Sequence, residues 1–253
     1  MERIYTQIRD RAHQIVSRFP PPLFYEDFPR ANDLSRQFIM SNTVVAALHG
    51  FVAEHLEDDF GHGLVHALKV SVDAGALMIV EAEAAEYPID FIYRRVLLVQ
   101  CAGLLHDMKR KQKDHAIGGA DFARKILKAY PLLTAEVEDV CQAIRNHEAF
   151  KNTVEINTPE GLLVSDCLYD ADKFRWGPDN FLYTIWDMIA FYKIPLPKFV
   201  ERYPNGMKSL EDIKGTFRTR TGKKYGPQFI DMGIAIGEEL LEVIQTEFDE
   251  YLS

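Results

Sequence analysis

The stretch CAGLLHDMKRKQKDHAIGGA, residues 101–120, combines a predicted buried helix with polar side chains at its end. An apolar run with helical spacing ends at His106-Asp107, and after a basic segment the chain reaches Asp114-His115 and two glycines. Polar groups at the end of a buried helix are costly unless partners satisfy them. Water at a solvated helix end is one such partner, and a metal ion is the other.

Composition narrows the class of protein. The 253 residues are 47% hydrophobic, enough to bury a core. Acidic residues outnumber basic ones by 38 to 29, so the net charge of -9 argues against a general nucleic-acid-binding surface. Three cysteines without a CxxC pair argue against a thiolate zinc site or a disulfide framework and fit a reducing compartment. With no apolar leader and no run long enough to span a bilayer, we expect a soluble, cytoplasmic protein that does not use a membrane.

Helical periodicity dominates the chain, and strand-like alternation is nearly absent. The sequence therefore predicts an all-α fold in a single domain over residues 1–253, a multi-helix bundle. The predicted helices start with one from Ile4 to Phe19 and one from Asn32 or Ser35 to about His55. The others are predicted at 62–84, 89–107, 115–129, 134–148, 159–173, 179–192, 196–202 and 225–251. The Pro- and Gly-bearing region 195–226 is expected to be a long surface excursion before the last helix.

Four residues form a candidate metal site: His66, His106, Asp107 and Asp172. Neutral imidazole and carboxylate offer nitrogen and oxygen donors to a divalent ion without cysteine. Adjacent His106 and Asp107 can both turn toward one ion, because a helix end is not held in the regular hydrogen-bond ladder. Two histidines and two aspartates leave coordination positions open for water and substrate, as a catalytic site requires.

In this order, H…HD…D, the chain resembles the HD-domain metal-dependent phosphohydrolases, an all-α superfamily, and among them the small stand-alone HD hydrolases. The motifs that carry the resemblance are HALKV at 66–70, GLLHDMKRK at 103–111, DHAIGGADFARKIL at 114–127 and DADKF at 170–174. A weaker similarity lies in FRTRTGKKYGPQF at 217–229. The resemblance implies an HD core at about 60–177, flanked by N-terminal helices and a C-terminal helical extension.

Two of the ligands have neighbours that compete for the same role. The context H-x-x-K-V favours His66 over His62, which stands one turn earlier. The family's aspartate usually precedes a basic residue, which favours Asp172 over Asp170, with Asp166 as a third choice.

The resemblance extends to His115 and His147, and their role is left open. Histidines in these places bind a second ion in the binuclear branches, and contact phosphate or transfer protons in mononuclear members. We therefore expect one divalent ion, of Mn, Fe, Co, Ni, Zn or Mg, and leave a second ion as an equal alternative.

The implied reaction is hydrolysis of a phosphate ester or anhydride, of a nucleotide or another small phosphorylated metabolite, by a metal-activated water. Asp107 would hold and help deprotonate that water, and His115 would protonate the leaving oxygen or bind phosphate. The residues predicted to bind the anionic substrate are Lys109, Lys173, Arg218 and Arg220.

Aromatic side chains near the last ligand have two interpretations. Stacking on a nucleobase is one, and packing in the core is the more typical role at this spacing; the residues are Tyr169, Phe174, Trp176 and Tyr183. Two other functions compete with the phosphohydrolase: a binuclear-iron oxygenase of the HD type, and a non-catalytic HD module for binding or signalling. Retention of every expected ligand argues against the module. The sequence does not determine the substrate, the native metal or the oligomeric state.

Overall fold

Helices are the only regular secondary structure in the described part of the chain. The structure is a computed structural model that describes residues 2–56 and 63–252. Within these residues it contains twelve α-helices and no strand, which confirms the predicted all-α fold. No helix in these two ranges combines the length and the apolar composition needed to cross a membrane.

The helices are α1 Glu2–Val16, α2 Leu23–Asp27, α3 Pro29–Ser41, α4 Thr43–His55, α5 Leu64–Ala84, α6 Ile89–Leu105, α7 His115–Ile126, α8 Thr134–Arg145, α9 Pro159–Phe174, α10 Ile185–Tyr192, α11 Leu196–Ile213 and α12 Arg220–Glu247. Short 3-10 segments follow α7, α11 and α12, at Leu127–Ala129, Lys214–Thr216 and Asp249–Tyr251. A π-helical segment, Asn180–Thr184, leads into α10.

The antiparallel pair α5 and α6 forms the centre of the bundle, with α3 and α9 packed against α5. The two helices approach closely where Gly103 faces Ser71: a Cβ at Gly103 would lie 2.9 Å from the Ser71 backbone nitrogen. Ser71 Oγ also donates hydrogen bonds to the carbonyls of Ala67 and Gln100, at 2.7 and 3.2 Å. This register brings the beginning of α5 beside the end of α6.

Buried apolar residues from α1 to α12 form one hydrophobic cluster. The first and last α-helices both contribute to this cluster, because α1 packs against α12. At the surface of the same contact, Arg11 forms an ion pair with Glu247 at 2.6 Å. The single-domain organisation stays a prediction.

The single helix predicted from Asn32 or Ser35 to His55 is wrong, because the chain breaks into α3 and α4 at Asn42. The Asn42 backbone is extended, and its side chain accepts hydrogen bonds from the amides of Val44 and Val45, at 3.1 and 3.2 Å. Asparagine is among the best residues at this position, because its side chain satisfies amides that a helix start leaves free.

The surface excursion predicted for 195–226 is also wrong. Most of it is α11, which runs through Pro204 and the Asn205-Gly206 pair. Burial explains this, since the helix has an apolar face at helical spacing that packs into the core: Phe199, Tyr203, Leu210 and Ile213. The last helix begins at Arg220, five residues earlier than predicted, where the Thr219 hydroxyl accepts a hydrogen bond from the Gly222 amide at 2.7 Å.

Candidate metal centre

Five helix ends meet at one end of the bundle, and each carries a residue with a metal-binding side chain. α5 contributes a histidine in its first turn, and a histidine and an aspartate follow α6 directly. α7 begins with a histidine, another follows α8, and the last turn of α9 carries an aspartate. The structure thereby brings together His66, His106, Asp107, His115, His147 and Asp172, all of them buried.

The first group of donor atoms comes from α5, α6 and α9. His66 Nε2 lies 3.3 Å from His106 Nε2 and 3.3 Å from Asp172 Oδ1. His106 Nε2 lies 3.7 Å from Asp172 Oδ1 and 3.5 Å from Asp107 Oδ2. Ligands at about 2.0–2.2 Å from a transition-metal ion are themselves separated by roughly 3.0–3.5 Å, so this spacing fits a common ion.

The second group shares Asp107 with the first. Asp107 Oδ1 lies 3.6 Å from His115 Nε2 and 3.6 Å from His147 Nε2, and the two imidazole nitrogens are 3.3 Å apart. The three side chains form a potential metal-binding set, as do His66, His106 and Asp107. Asp107 Oδ2 thus faces His106 of the first group, whereas Oδ1 faces the two histidines of the second.

Backbone carbonyls fix the orientation of two of the imidazoles. His106 Nδ1 donates to the Gly103 carbonyl at 2.8 Å, and His147 Nδ1 donates to the Ile144 carbonyl at 2.6 Å. A carbonyl can only accept, so in each ring the proton is on Nδ1 and the lone pair of Nε2 faces the cluster. Metal-binding histidines are commonly held in this way by their other ring nitrogen.

Burial keeps the imidazoles of His106 and His115 neutral. It lowers the pKa of His106 to about 4, although Asp107 and Asp172 act in the opposite direction. It also lowers the pKa of His115 to about 3, against the opposing charge of Asp107 and assisted by the neighbouring guanidinium of Arg110. Neutral imidazole is the form that binds a metal ion.

Asp172 is held as a carboxylate. Burial by itself would raise its pKa, but Lys173 and the imidazoles of His66 and His106 hold that pKa well below its usual value. Lys173 Nζ donates to Asp172 Oδ2 at 2.5 Å and to the His147 carbonyl at 3.0 Å. Lys173 therefore ties a donor of the first group to the segment that carries a donor of the second.

Arg110 is a residue whose place the sequence reasoning missed. Its Nη1 atom donates to His115 Nε2 at 2.7 Å and lies 4.0 Å from Asp107 Oδ1. The chain turns after Asp107, with the Arg110 amide bonded to the Asp107 carbonyl at 3.0 Å, so residues three apart share a side. That i, i+3 spacing was the available signal, and it favours Arg110 over its neighbour Lys109.

Asp170 does not join the cluster. Its two carboxylate oxygens accept hydrogen bonds from the amides of Arg218 and Thr219, both at 2.8 Å, at the start of α12. The other candidate, Asp166, lies 4.0 Å from Arg218. His62 lies outside the described residues.

The predicted substrate-binding cations are scattered. Lys109 Nζ lies 4.3 Å from the ring centroid of Phe122, and Lys173 is buried in the contacts given above. Arg218 stacks on Tyr169, with its guanidinium carbon 3.5 Å from the ring centroid, and Arg220 lines a separate cavity. Of the residues predicted to bind substrate, Lys173 alone is among the described residues that line the cavity beside the cluster.

That cavity has a volume of about 550 Å³ and extends from the cluster toward α10 and α11. Of the aromatic residues near the last ligand, Trp176 lines it. Phe174 packs in the core, stacked on Phe229 with ring centroids 4.1 Å apart.

One comparison with known proteins covers the whole of this site. The sequence model of the HD domain family matches residues 63–175, a segment that holds all of the cluster residues. A search of curated proteins found no match. The solved structures include a crystal structure at 1.45 Å of a predicted HD superfamily hydrolase from an uncultured Thermotogales bacterium. It shares 20% identity with this chain, covers 82% of this chain and 92% of its own, and has a TM-score of 0.45. Residues 63–175 of this chain are therefore similar in sequence to the HD domain family.

Proposed function

We propose that this chain is a metal-dependent phosphohydrolase whose HD domain has donor groups for two divalent ions, with Asp107 as the residue that both groups would share. The observation that carries the proposal is the division of one buried carboxylate between the two groups of donor atoms. Oδ2 faces His106 at 3.5 Å, and Oδ1 faces His115 and His147, each at 3.6 Å. A single ion would not require donors on both sides of the same carboxylate.

The donor set indicates the kind of metal. Imidazole nitrogens and carboxylate oxygens, without a thiolate, suit Mn, Fe, Co, Ni or Zn. Mg is the least suited of the predicted ions, because it prefers oxygen ligands and retains its waters. Such ions lower the pKa of a coordinated water and neutralise charge on a phosphoryl oxygen.

The chain's own residues supply the remaining parts of the reaction. Asp107 is the candidate to orient the attacking water and to accept its proton on a carboxylate oxygen. The place of His115 Nε2 in the second group favours a role as a ligand over one as a general acid. Lys173 holds Asp172 in position, and Arg110, which lines the cavity beside the cluster, is a cation that a phosphate anion can reach.

The proposed substrate is a small phosphorylated compound, as the HD resemblance implies, and a nucleotide stays a prediction. The experiment is a panel of phosphate esters and anhydrides, assayed for phosphate release with Mn, Co, Ni, Zn and Mg. Asp107→Ala should lose both tight metal binding and turnover. Asp121→Ala, which removes an exposed aspartate on α7, should retain both. Turnover that survives in Asp107→Ala would overturn the proposal.

The same donor set also suits two irons, so a binuclear-iron oxygenase is the second candidate. It predicts a coloured, iron-loaded protein that consumes dioxygen and releases no phosphate from the panel. A non-catalytic HD module would show neither activity. Phosphate release by a colourless manganese-loaded protein would exclude both alternatives.

A further inference from the structure

The cavity of about 550 Å³ beside the cluster is larger than a phosphate group needs, and its size lies within the range of sites for organic ligands. One end is formed by the cluster and neighbouring charged residues, among them Arg110, Glu148 and Arg175. The other walls come mainly from the π-helical segment, α10 and α11. These elements lie beyond the matched HD segment, so the C-terminal extension shapes this cavity.

These walls are predominantly apolar. The apolar residues that line them are Phe150, Trp176, Phe181, Ile185, Met188, Ile189, Ile194, Phe199, Tyr203, Met207, Leu210 and Ile213. Met188 is 39% exposed although it lies in the cavity wall. Apolar surface gathered in a concave site marks a place where a ligand is bound.

Polar partners for a nucleobase are sparse on these walls. The tyrosine hydroxyl of Tyr203 is already bonded to the Gly237 carbonyl at 2.8 Å. Polar side chains among the described lining residues beyond the charged end are Asn180, Thr184, Arg202 and Ser209, and the last two are exposed. A base whose ring nitrogens and exocyclic groups lose water without gaining partners binds poorly.

We propose that this cavity takes the apolar part of an amphiphilic phosphate monoester, with the phosphate at the cluster and an aliphatic group between α10 and α11. The inference rests on the proposed phosphohydrolase function and names its substrate class. In the reaction water attacks phosphorus, and the P–O bond to the alcohol breaks. The alcohol oxygen leaves with a proton that derives from the attacking water, and inorganic phosphate is the second product.

The cavity has a charged end and apolar walls, and this separation favours an amphiphilic phosphate monoester over a polar metabolite as the substrate. An anionic head is attracted to the charged end, where Arg110 is 37% exposed, whereas an alkyl group gains by leaving water along the apolar walls. Burial of each additional methylene should raise kcat/KM about two- to fourfold until the cavity is filled.

The first test uses the manganese-loaded protein and primary alkyl phosphates of two, four, six and eight carbons, below their micellar concentrations. kcat/KM should rise with each methylene, and octyl phosphate should be preferred over adenosine monophosphate. The same series of alkylphosphonates, which are not hydrolysed, is titrated by calorimetry. Octylphosphonate should bind at least about tenfold more tightly than ethylphosphonate.

Three variants test whether the effect arises in the cavity wall. Met188→Asp places a charge in the cavity wall, whereas Met40→Asp places one on α3 outside the cavity, where the side chain is 76% exposed. Met188→Asp should abolish the chain-length dependence and lower kcat/KM for octyl phosphate at least about tenfold more than for ethyl phosphate, while metal content stays at the wild-type level. Met40→Asp and the apolar variant Met188→Leu should behave like the wild type.

The outcomes separate the inference from the proposed function. Turnover of phosphates with no chain-length dependence, a preference for the nucleotide, or a normal length dependence in Met188→Asp would overturn the inference and leave the phosphohydrolase intact. Phosphonate binding that strengthens with length, without hydrolysis of any phosphate, would support the amphiphile site and refute the phosphohydrolase.

Discussion

Replacement of Arg110 by alanine should strengthen binding of the second ion. Arg110 Nη1 donates to His115 Nε2 at 2.7 Å and lies 4.0 Å from Asp107 Oδ1. The single lone pair of Nε2 cannot accept this hydrogen bond and bind an ion together. The guanidinium must therefore move aside before the second group can be filled, and its removal eliminates that cost.

The size of the effect follows from the contact. A hydrogen bond from a charged donor contributes about 1.5–3 kcal/mol within a protein. The Arg110 side chain is 37% exposed, so solvent screening reduces the expected contribution to about 1 kcal/mol. This corresponds to a Kd of the second ion that is about fivefold lower in Arg110→Ala.

Calorimetric titration of metal-free protein with Mn²⁺ measures both ions. Arg110→Ala should bind the first ion as the wild type does and the second more tightly. The matched control is Lys109→Ala, which removes the adjacent cation that lies against Phe122, and it should change neither constant. A second ion that binds less tightly in Arg110→Ala, or equally well in both proteins, would show that Arg110 does not compete with that ion for His115.

Three further substitutions separate metal binding from folding. Asp172→Ala should weaken metal binding at least about tenfold in the same titration, because it removes a donor of the first group; wild-type affinity would contradict this assignment. Asp170→Ala should leave metal affinity unchanged and lower the free energy of unfolding by about 2–3 kcal/mol in urea, since the amides of Arg218 and Thr219 lose their acceptor; loss of metal would show that Asp170 has been misplaced. Asn42→Ala should cost about 1 kcal/mol in the same unfolding assay through the lost helix cap, and an unchanged stability would count against that cap.

Much of the fold could be predicted from the sequence, because the apolar periodicity of α1, α8 and α12 is strong and α5 and α6 are long, largely apolar segments. The breaks between consecutive helices were harder to predict. The break at Asn42 depends on one side chain, and its signal, an asparagine followed by a threonine and an apolar run, was overlooked within a longer periodic stretch. Periodicity alone continues across such a cap.

The prediction for the segment that forms α11 was wrong for the opposite reason. Pro204 and Asn205-Gly206 locally favour a turn, and this preference outweighed the apolar spacing in the prediction. Packing reverses the balance, because the helix buries Tyr203 and Leu210 on the same face. Burial of large apolar side chains offsets the missing amide of one proline, and a sequence does not reveal which faces become buried.

The candidate site was predictable as far as its donors, and less so for the cations around it. Histidine and aspartate at helix ends carry a signal in their order and spacing. A basic run such as Lys109-Arg110-Lys111 offers no such distinction, because the turn after Asp107 decides which side chain points back to the cluster. Lys173 likewise was expected to bind substrate, but its burial and its two hydrogen bonds favour a positioning role.

The bridging of two ions by Asp107 is tested most directly by electron paramagnetic resonance of the manganese-saturated protein, combined with elemental analysis. We expect two ions per chain within about 4 Å of each other, with the spectrum of a spin-coupled pair. In Asp107→Asn that coupling should be lost. One ion per chain at saturation, or two ions with uncoupled spectra in the wild type, would contradict the bridging.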